Sequence, residues 1–89
     1  MALVRLSTPL RRFTDGKPEV EAEGVVLSEL LADLNTRFPG IGEKILKDGE
    51  IQRFVNVYVD NEDVRLGDGL ETKLTKTSIV SILPAVSGG

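Results

Sequence analysis

Only one stretch of this chain repeats its apolar residues at helical spacing for long enough to demand a helix. Leu27, Leu30, Leu31, Leu34 and Phe38 fall on one stripe, with Glu29 in the first turn and Arg37 in the last to complement the helix dipole. Pro39-Gly40 stops the pattern. The start is irregular, because Val26 stands where Ser, Thr or Asp normally accepts the free N–H groups, and Ser28 fills that role only if the helix begins later. A helix with a single apolar stripe must lay it against one complementary face, so the remaining residues have to supply that face.

They do so with period-two segments. In Leu3–Ser7, Val4 and Leu6 share one face and Arg5 takes the other, and Pro9 ends the run. After a turn-rich stretch over 13–18, Glu19–Glu23 alternates acid and apolar residues, which predicts a hairpin with the first strand. Ile41 to Gln52 reads as a loop containing one helical turn, with Ile41, Ile45 and Leu46 under the sheet and Asp48-Gly49 as the break. Arg53 to Val59 is β-branched and aromatic, Asp60-Asn61-Glu62 turns the chain into a short strand around Val64, and Ile79–Leu83 is the last strand. One mixed sheet crossed by one main helix is an α+β arrangement, the β-grasp. The expected domain covers 1–84, followed by a tail over 85–89. Val55, Val57, Val59, Val80 and Ile82 are expected to face Leu27, Leu30, Leu31 and Leu34. Alternation places Phe54, Asn56, Tyr58, Ser81 and Leu83 on the helix-free side, where Phe54 and Tyr58 either form a docking surface or simply cover the sheet.

Composition narrows the chemistry. Among 89 residues there is no Cys, His or Trp, so thiol nucleophiles and imidazole ligands or proton shuttles are absent. A chain this short is expected to be a binding or carrier module rather than a self-contained enzyme. The net charge of −3 leaves no electrostatic footprint for nucleic acid and favours partners with basic surfaces. No apolar stretch approaches the ~20 residues of a membrane span, and Met1-Ala2-Leu3-Val4-Arg5 lacks the apolar core of a signal peptide, so a cytosolic location without membrane partners is expected. Gly40-Ile41-Gly42 starts like a dinucleotide fingerprint but has Ile45 at the third glycine position and follows a helix. Asp60, Glu62, Asp63 and Asp68 lack calcium-loop spacing and read as a solvated turn.

The sequence ends in Gly88-Gly89, shortly after an expected strand that Pro84 stops. Two glycines at a chosen place arise by chance about once in 200 chains. A terminal glycine carboxylate suits acyl activation on a nucleotide phosphate: it has no side chain to crowd the carbonyl, no stereocentre to lose, and the freedom to thread a narrow site. A frayed linker remnant would look the same.

Three segments carry a resemblance over nearly the whole chain. These are Glu29-Leu30-Leu31-Ala32-Asp33-Leu34 with Arg37-Phe38-Pro39-Gly40, then Arg53 through Arg65, and finally Ile82-Leu83-Pro84-Ala85-Val86-Ser87-Gly88-Gly89. They resemble the ubiquitin-like sulfur carriers, among them the small subunit of molybdopterin synthase and the carrier of thiamine thiazole synthesis. The central and final segments look most like the carrier that feeds a cysteine synthase using O-phosphoserine. The resemblance implies that a ubiquitin-activating-type adenylyltransferase uses ATP to activate the Gly89 carboxylate, which becomes a thiocarboxylate. ATP then belongs to that partner, and the chain needs no cofactor or metal of its own. It implies a sulfur-acceptor enzyme, cysteine synthase-like or like the molybdopterin synthase large subunit. Gly88 supplies slimness, Val86 an anchor at the acceptor's mouth, and Phe54, Tyr58 and Leu83 the partner-binding face. A protein modifier joined to lysines through Gly89, or a non-covalent interaction domain, would use the same fold. The stretches 11–17 and 41–52 are longer than in the thiazole branch.

Overall fold

A computed structural model of the chain describes residues 1–84. Strand β1 (Ala2–Leu6) pairs antiparallel with β2 (Glu19–Ala22), Val4 opposite Val20, as the alternating sequences require. Between them the turn-rich stretch begins earlier than its composition suggested. Pro9 opens a 3-10 segment over Thr8–Thr14, a use of proline where a free N–H would be unsatisfied anyway. Arg11 Nε donates to the Leu6 carbonyl, 3.2 Å away, and ties this segment to the end of β1. Thr14 is buried, and its hydroxyl donates to the Lys17 carbonyl at 2.8 Å, so the polar group carries no desolvation debt.

Helix α1 (Leu27–Arg37) has the expected bounds to within one residue. It begins at Leu27, so Ser28 lies inside it and does not cap it. The uncapped Val26 is compensated in two ways: the Glu29 carboxylate accepts from Val25 N–H at 3.0 Å, and Leu27 N–H donates to the Thr72 carbonyl at 2.9 Å. Gly40, with φ near +99°, turns the chain into α2 (Ile41–Ile45). Asn35 on α1 accepts from both Gly40 N–H and Gly42 N–H at its start, at 3.2 and 2.9 Å.

The stretch from 46 to 51 corrects the expectation of a loop. It forms a hairpin of two short strands, β3 (Leu46–Lys47) and β4 (Glu50–Ile51), over Asp48-Gly49 at φ +54° and +79°. Two consecutive positive φ values are the requirement of the tightest hairpin turn, and Asp-Gly meets it. Strand β5 (Val55–Val59) starts two residues later than its β-branched run. Asp60-Asn61, also both at positive φ, lead into β6 (Glu62–Asp63). The strand expected around Val64 stops before it. Val64 instead opens a 3-10 turn, capped by the Asp63 carboxylate accepting from Arg65 N–H at 2.9 Å, and its side chain is buried.

Strand β7 (Ile79–Pro84) closes the main sheet in the order β2-β1-β7-β5-β6, with β1 and β7 parallel and the other neighbours antiparallel. This is the β-grasp. Val4 lies beside Val80 and Leu6 beside Ile82, all four essentially buried, and α1 covers them with Leu27, Leu30, Leu31 and Leu34. Val57 and Val59 join this core and Val55 packs at its margin, while Ile41 and Ile45 bring α2 into it completely. Each fully buried side chain of this size contributes roughly 1.5–3 kcal/mol before chain entropy is subtracted.

Where β2 meets α1 the backbones touch. A methyl group on Gly24 would stand 2.4 Å from the Leu30 backbone nitrogen, so only glycine fits. Nearby, the Asp33 carboxylate accepts from Glu23 N–H at 2.8 Å and from Arg37 Nε at 2.6 Å. The Glu23 N–H and then the Arg37 guanidinium hold its pKa below the ordinary 3.8.

Three outcomes follow from this packing. Leu31→Ala lowers unfolding stability by about 2–5 kcal/mol in chemical denaturation, and a loss under ~1 kcal/mol would contradict the assigned core. Gly24→Ala destabilises by more than ~1 kcal/mol whereas Val25→Ala, at an exposed side chain, stays within ~0.5 kcal/mol. Because the folded-state pKa of Asp33 is depressed, its contribution is present above about 3.8 and is lost as pH falls through the lower folded value. Thermal melts across the acid range should therefore show Asp33→Asn less stable than the parent at neutral pH, with the difference shrinking toward acid.

Candidate functional site

The site is built around the end of β7, the central strand. Val86, Gly88 and Gly89 lie outside the described residues, so the structure bears on how the chain reaches them. Strand alternation along β7 turns Val80 and Ile82 into the core and Ile79, Ser81 and Leu83 to the helix-free face. On that face, register sets residues side by side. One row runs Glu19, Arg5, Ser81, Tyr58, Asp63, and the next joins Leu83 to Asn56. Arg5 and Glu19 form an exposed ion pair at 3.1 Å, worth little to stability. Tyr58 is half-buried at the middle of the sheet, between Ser81 and Asp63, and Leu83 is 41% exposed. Arg65 reaches back over this side, its guanidinium donating to Asn56 Oδ1 at 3.1 Å and to the Gln52 carbonyl.

Phe54 does not stand where alternation put it. It lies in the turn before β5, outside the ladder, and is 60% exposed rather than tucked under the 41–52 stretch. With Leu83 and Pro84 it lines a groove of about 500 Å³ whose other wall is the 3-10 segment, chiefly Leu10 and Phe13. Leu83 is thus shared by two surfaces, the open sheet face that carries Tyr58 and the groove that carries Phe54. The groove is hidden in the sequence because the turn-rich stretch is expected only from Phe13, whereas its second wall is a 3-10 segment that starts at Thr8. Pro9 followed by Leu10 and Phe13, three residues apart, was the available signal, since that spacing aligns side chains on a 3-10 turn.

Cations border the groove. The Arg12 guanidinium carbon lies 5.0 Å from the centroid of the Phe13 ring, and that of Arg53 lies 6.0 Å from the Phe54 ring. On the opposite side of the molecule, Asp60, Glu62, Asp63 and Asp68 line a hollow that has structural uses for two of its carboxylates: Asp60 accepts from Ile79 N–H at 2.9 Å and Asp63 caps the Val64 turn. Among the described residues no group of three or more such side chains could hold a metal ion, and no helix is long and apolar enough to cross a membrane.

Among the described residues the charged side chains lining the groove are Arg12 and Lys44, and neither takes part in an ion pair. What the arrangement offers is a slender strand end beside an apolar, positively bordered surface. The chain is 42% identical over 89 residues to the sulfur carrier protein CysO of Mycobacterium tuberculosis, spanning 97% of this chain and 96% of that one. A putative sulfur carrier protein of Archaeoglobus fulgidus is 40% identical over 78 residues, covering 86% of this chain and 89% of its own length. Among solved structures, a chain in the crystal structure of the Amycolatopsis orientalis BexX/CysO complex superposes with a TM-score of 0.94 at 40% identity, over 100% of both chains. The profile of the ThiS family matches residues 4–89, and with these relatives it shows that the chain belongs to the ThiS family.

Proposed function

We propose that this protein is a sulfur carrier that holds the atom as a thiocarboxylate on Gly89 and delivers it to a biosynthetic enzyme. The observation that supports this most is the similarity, along nearly the whole length, to proteins named sulfur carriers. In the proposed loading reaction, a carboxylate oxygen of Gly89 attacks the α-phosphorus of ATP in an activating enzyme. Pyrophosphate leaves and an acyl adenylate forms. Hydrosulfide then attacks the acyl carbon, AMP departs with its bonding electron pair, and the thiol proton is lost to solvent. The product is an ionised thiocarboxylate, a sulfur nucleophile held covalently instead of released as sulfide.

In this reading the adenylyltransferase supplies the ATP site and the catalytic groups, and the chain supplies only a presentable end, with no cofactor of its own. Gly88 and Gly89 keep that end thin, and Val86 seats it against the partner. Phe54, Tyr58 and Leu83 meet the partner's surface. Similarity to CysO supports cysteine, more than molybdopterin, as the destination of the sulfur, and dependence on ATP supports a cytoplasmic location.

The test is reconstitution with ATP, sulfide and an adenylyltransferase of the ubiquitin-activating type from the same host. Activation read as ATP–pyrophosphate exchange should require the intact chain and vanish when Gly89 is deleted. Phe54→Ala should raise the KM for the carrier several-fold while its thermal stability stays close to the parent's, because that ring is exposed. Exchange that persists without Gly89 would contradict the loading site. Recovery of the chain joined to lysines of other proteins, with no sulfur bound, would move the function to protein modification.

A further inference from the structure

The overall charge of −3 hides a local reversal. Arg12 and Lys44 are the charged residues lining the groove beside Leu83 and Pro84, and no Asp or Glu lines it. The ion pairs among the described residues are Arg5 with Glu19 and Arg37 with Asp33, so Arg12, Lys44 and Arg53 have no carboxylate partner there. The floor between these cations is apolar, made by Leu10, Phe13, Phe54, Val55, Leu83 and Pro84. Stacking of Arg12 on the Phe13 ring keeps a guanidinium at the groove's lip while leaving its N–H donors for another molecule.

We propose that this groove receives a segment of a partner enzyme that carries an aromatic or branched apolar side chain flanked by carboxylates. The apolar side chain fills the floor, and the carboxylates pair with Arg12 and Lys44. Identifying that partner as an activating or acceptor enzyme rests on the carrier reading; the recognition chemistry does not. Charge complementarity argues for an acidic segment in particular. In the hollow at the other end of β5 four carboxylates, Asp60, Glu62, Asp63 and Asp68, outnumber one cation, Lys73, so an acidic segment is drawn to this groove rather than to that hollow. The location also has a use. Leu83 and Pro84 form part of the wall, so a partner seated here grips the strand end from which Gly89 is at most ~18 Å away at about 3.5 Å per residue. Net charge alone pointed to basic partners, whereas the distribution assigns an acidic one to this end.

The test is a titration of the isotope-labelled full chain, unloaded, with two capped hexapeptides followed by NMR. One has the order Glu-Asp-Leu-Phe-Asp-Glu and the other replaces its acids with lysine. The acidic peptide should bind at least tenfold more tightly, weaken with added salt, and shift the amides of Leu10, Phe13, Lys44, Phe54 and Leu83. Charge reversal at the exposed pair, Arg12→Glu with Lys44→Glu, should weaken it at least tenfold while the spectrum elsewhere stays that of the folded parent. Equal binding of both peptides, undiminished binding to the double variant, or shifts centred on Tyr58 and Ser81 would overturn the proposal. So would shifts at Leu10, Phe13 and Lys44, remote in sequence from the cut, on removing residues 85–89 alone, which make the chain's own end the occupant, or groove shifts that depend on protein concentration, which make it a second copy. Because the titration uses unloaded protein, failure to find sulfur on Gly89 would sink the carrier reading and leave this result standing.

Discussion

The pairing on which the rest of the molecule depends is the parallel contact between β1 and β7. These strands come from opposite ends of the described chain, yet Val4 beside Val80 and Leu6 beside Ile82 form the buried centre of the sheet. Parallel neighbours cannot be joined by a tight turn, so everything between them must serve as the crossover, and α1 is the part of it that covers the core. The same pairing decides where function can reside. It puts the last strand in the middle of the sheet, held on one side by β1 and on the other by β5, so Pro84 leaves from the most firmly held element available. A group attached beyond Pro84 is tethered to a fixed point rather than to a fraying edge.

Folding and recognition use separate side chains of the same strands. In β7, Val80 and Ile82 are buried while Leu83 faces outward, and in β5, Val57 and Val59 are buried while Asn56 and Tyr58 lie on the other side. A substitution at the outward positions can therefore alter docking with small effect on the core. The charges are distributed unevenly as well. Asp60 and Asp63 near the β5–β6 turn accept from backbone N–H groups, whereas Arg12 and Lys44 border an apolar groove that no Asp or Glu among the described residues lines.

The sheet, the main helix and their facing residues were legible because burial leaves period-two and helical patterns in Glu19–Glu23, Val55–Val59 and Leu27–Phe38. Shorter elements were not. Strands of two residues have no period to detect, so β3 and β4 were hidden except for their Asp-Gly turn, which was read as a break. Phe54 was misplaced because β-propensity extends the run backward past Val55, while the backbone is already turning. Glu29 and Thr72 replaced the missing cap of α1, and the second of these is supplied by a loop distant in sequence that no local pattern announces. For the site, Leu83 and Phe54 could be named, but the groove they share depends on tertiary placement of Leu10 and Phe13. The roles given to Gly88, Gly89 and Val86 come from glycine chemistry and family resemblance.

The proposed function stands or falls with sulfur on Gly89 in the cell. The most direct measurement is the intact and fragment mass of the protein isolated from its native host under non-reducing conditions after treatment with a thiol-alkylating reagent. With no cysteine in the chain, the one native sulfur is the Met1 thioether at the opposite end, so an alkyl group localised to Gly89 marks an installed thiol-like atom. Alkylation localised to Gly89 in part of the population is the expected result. An unalkylated carboxylate at Gly89, in cells actively assimilating sulfur and also after ATP, sulfide and the activating enzyme are supplied, would contradict it.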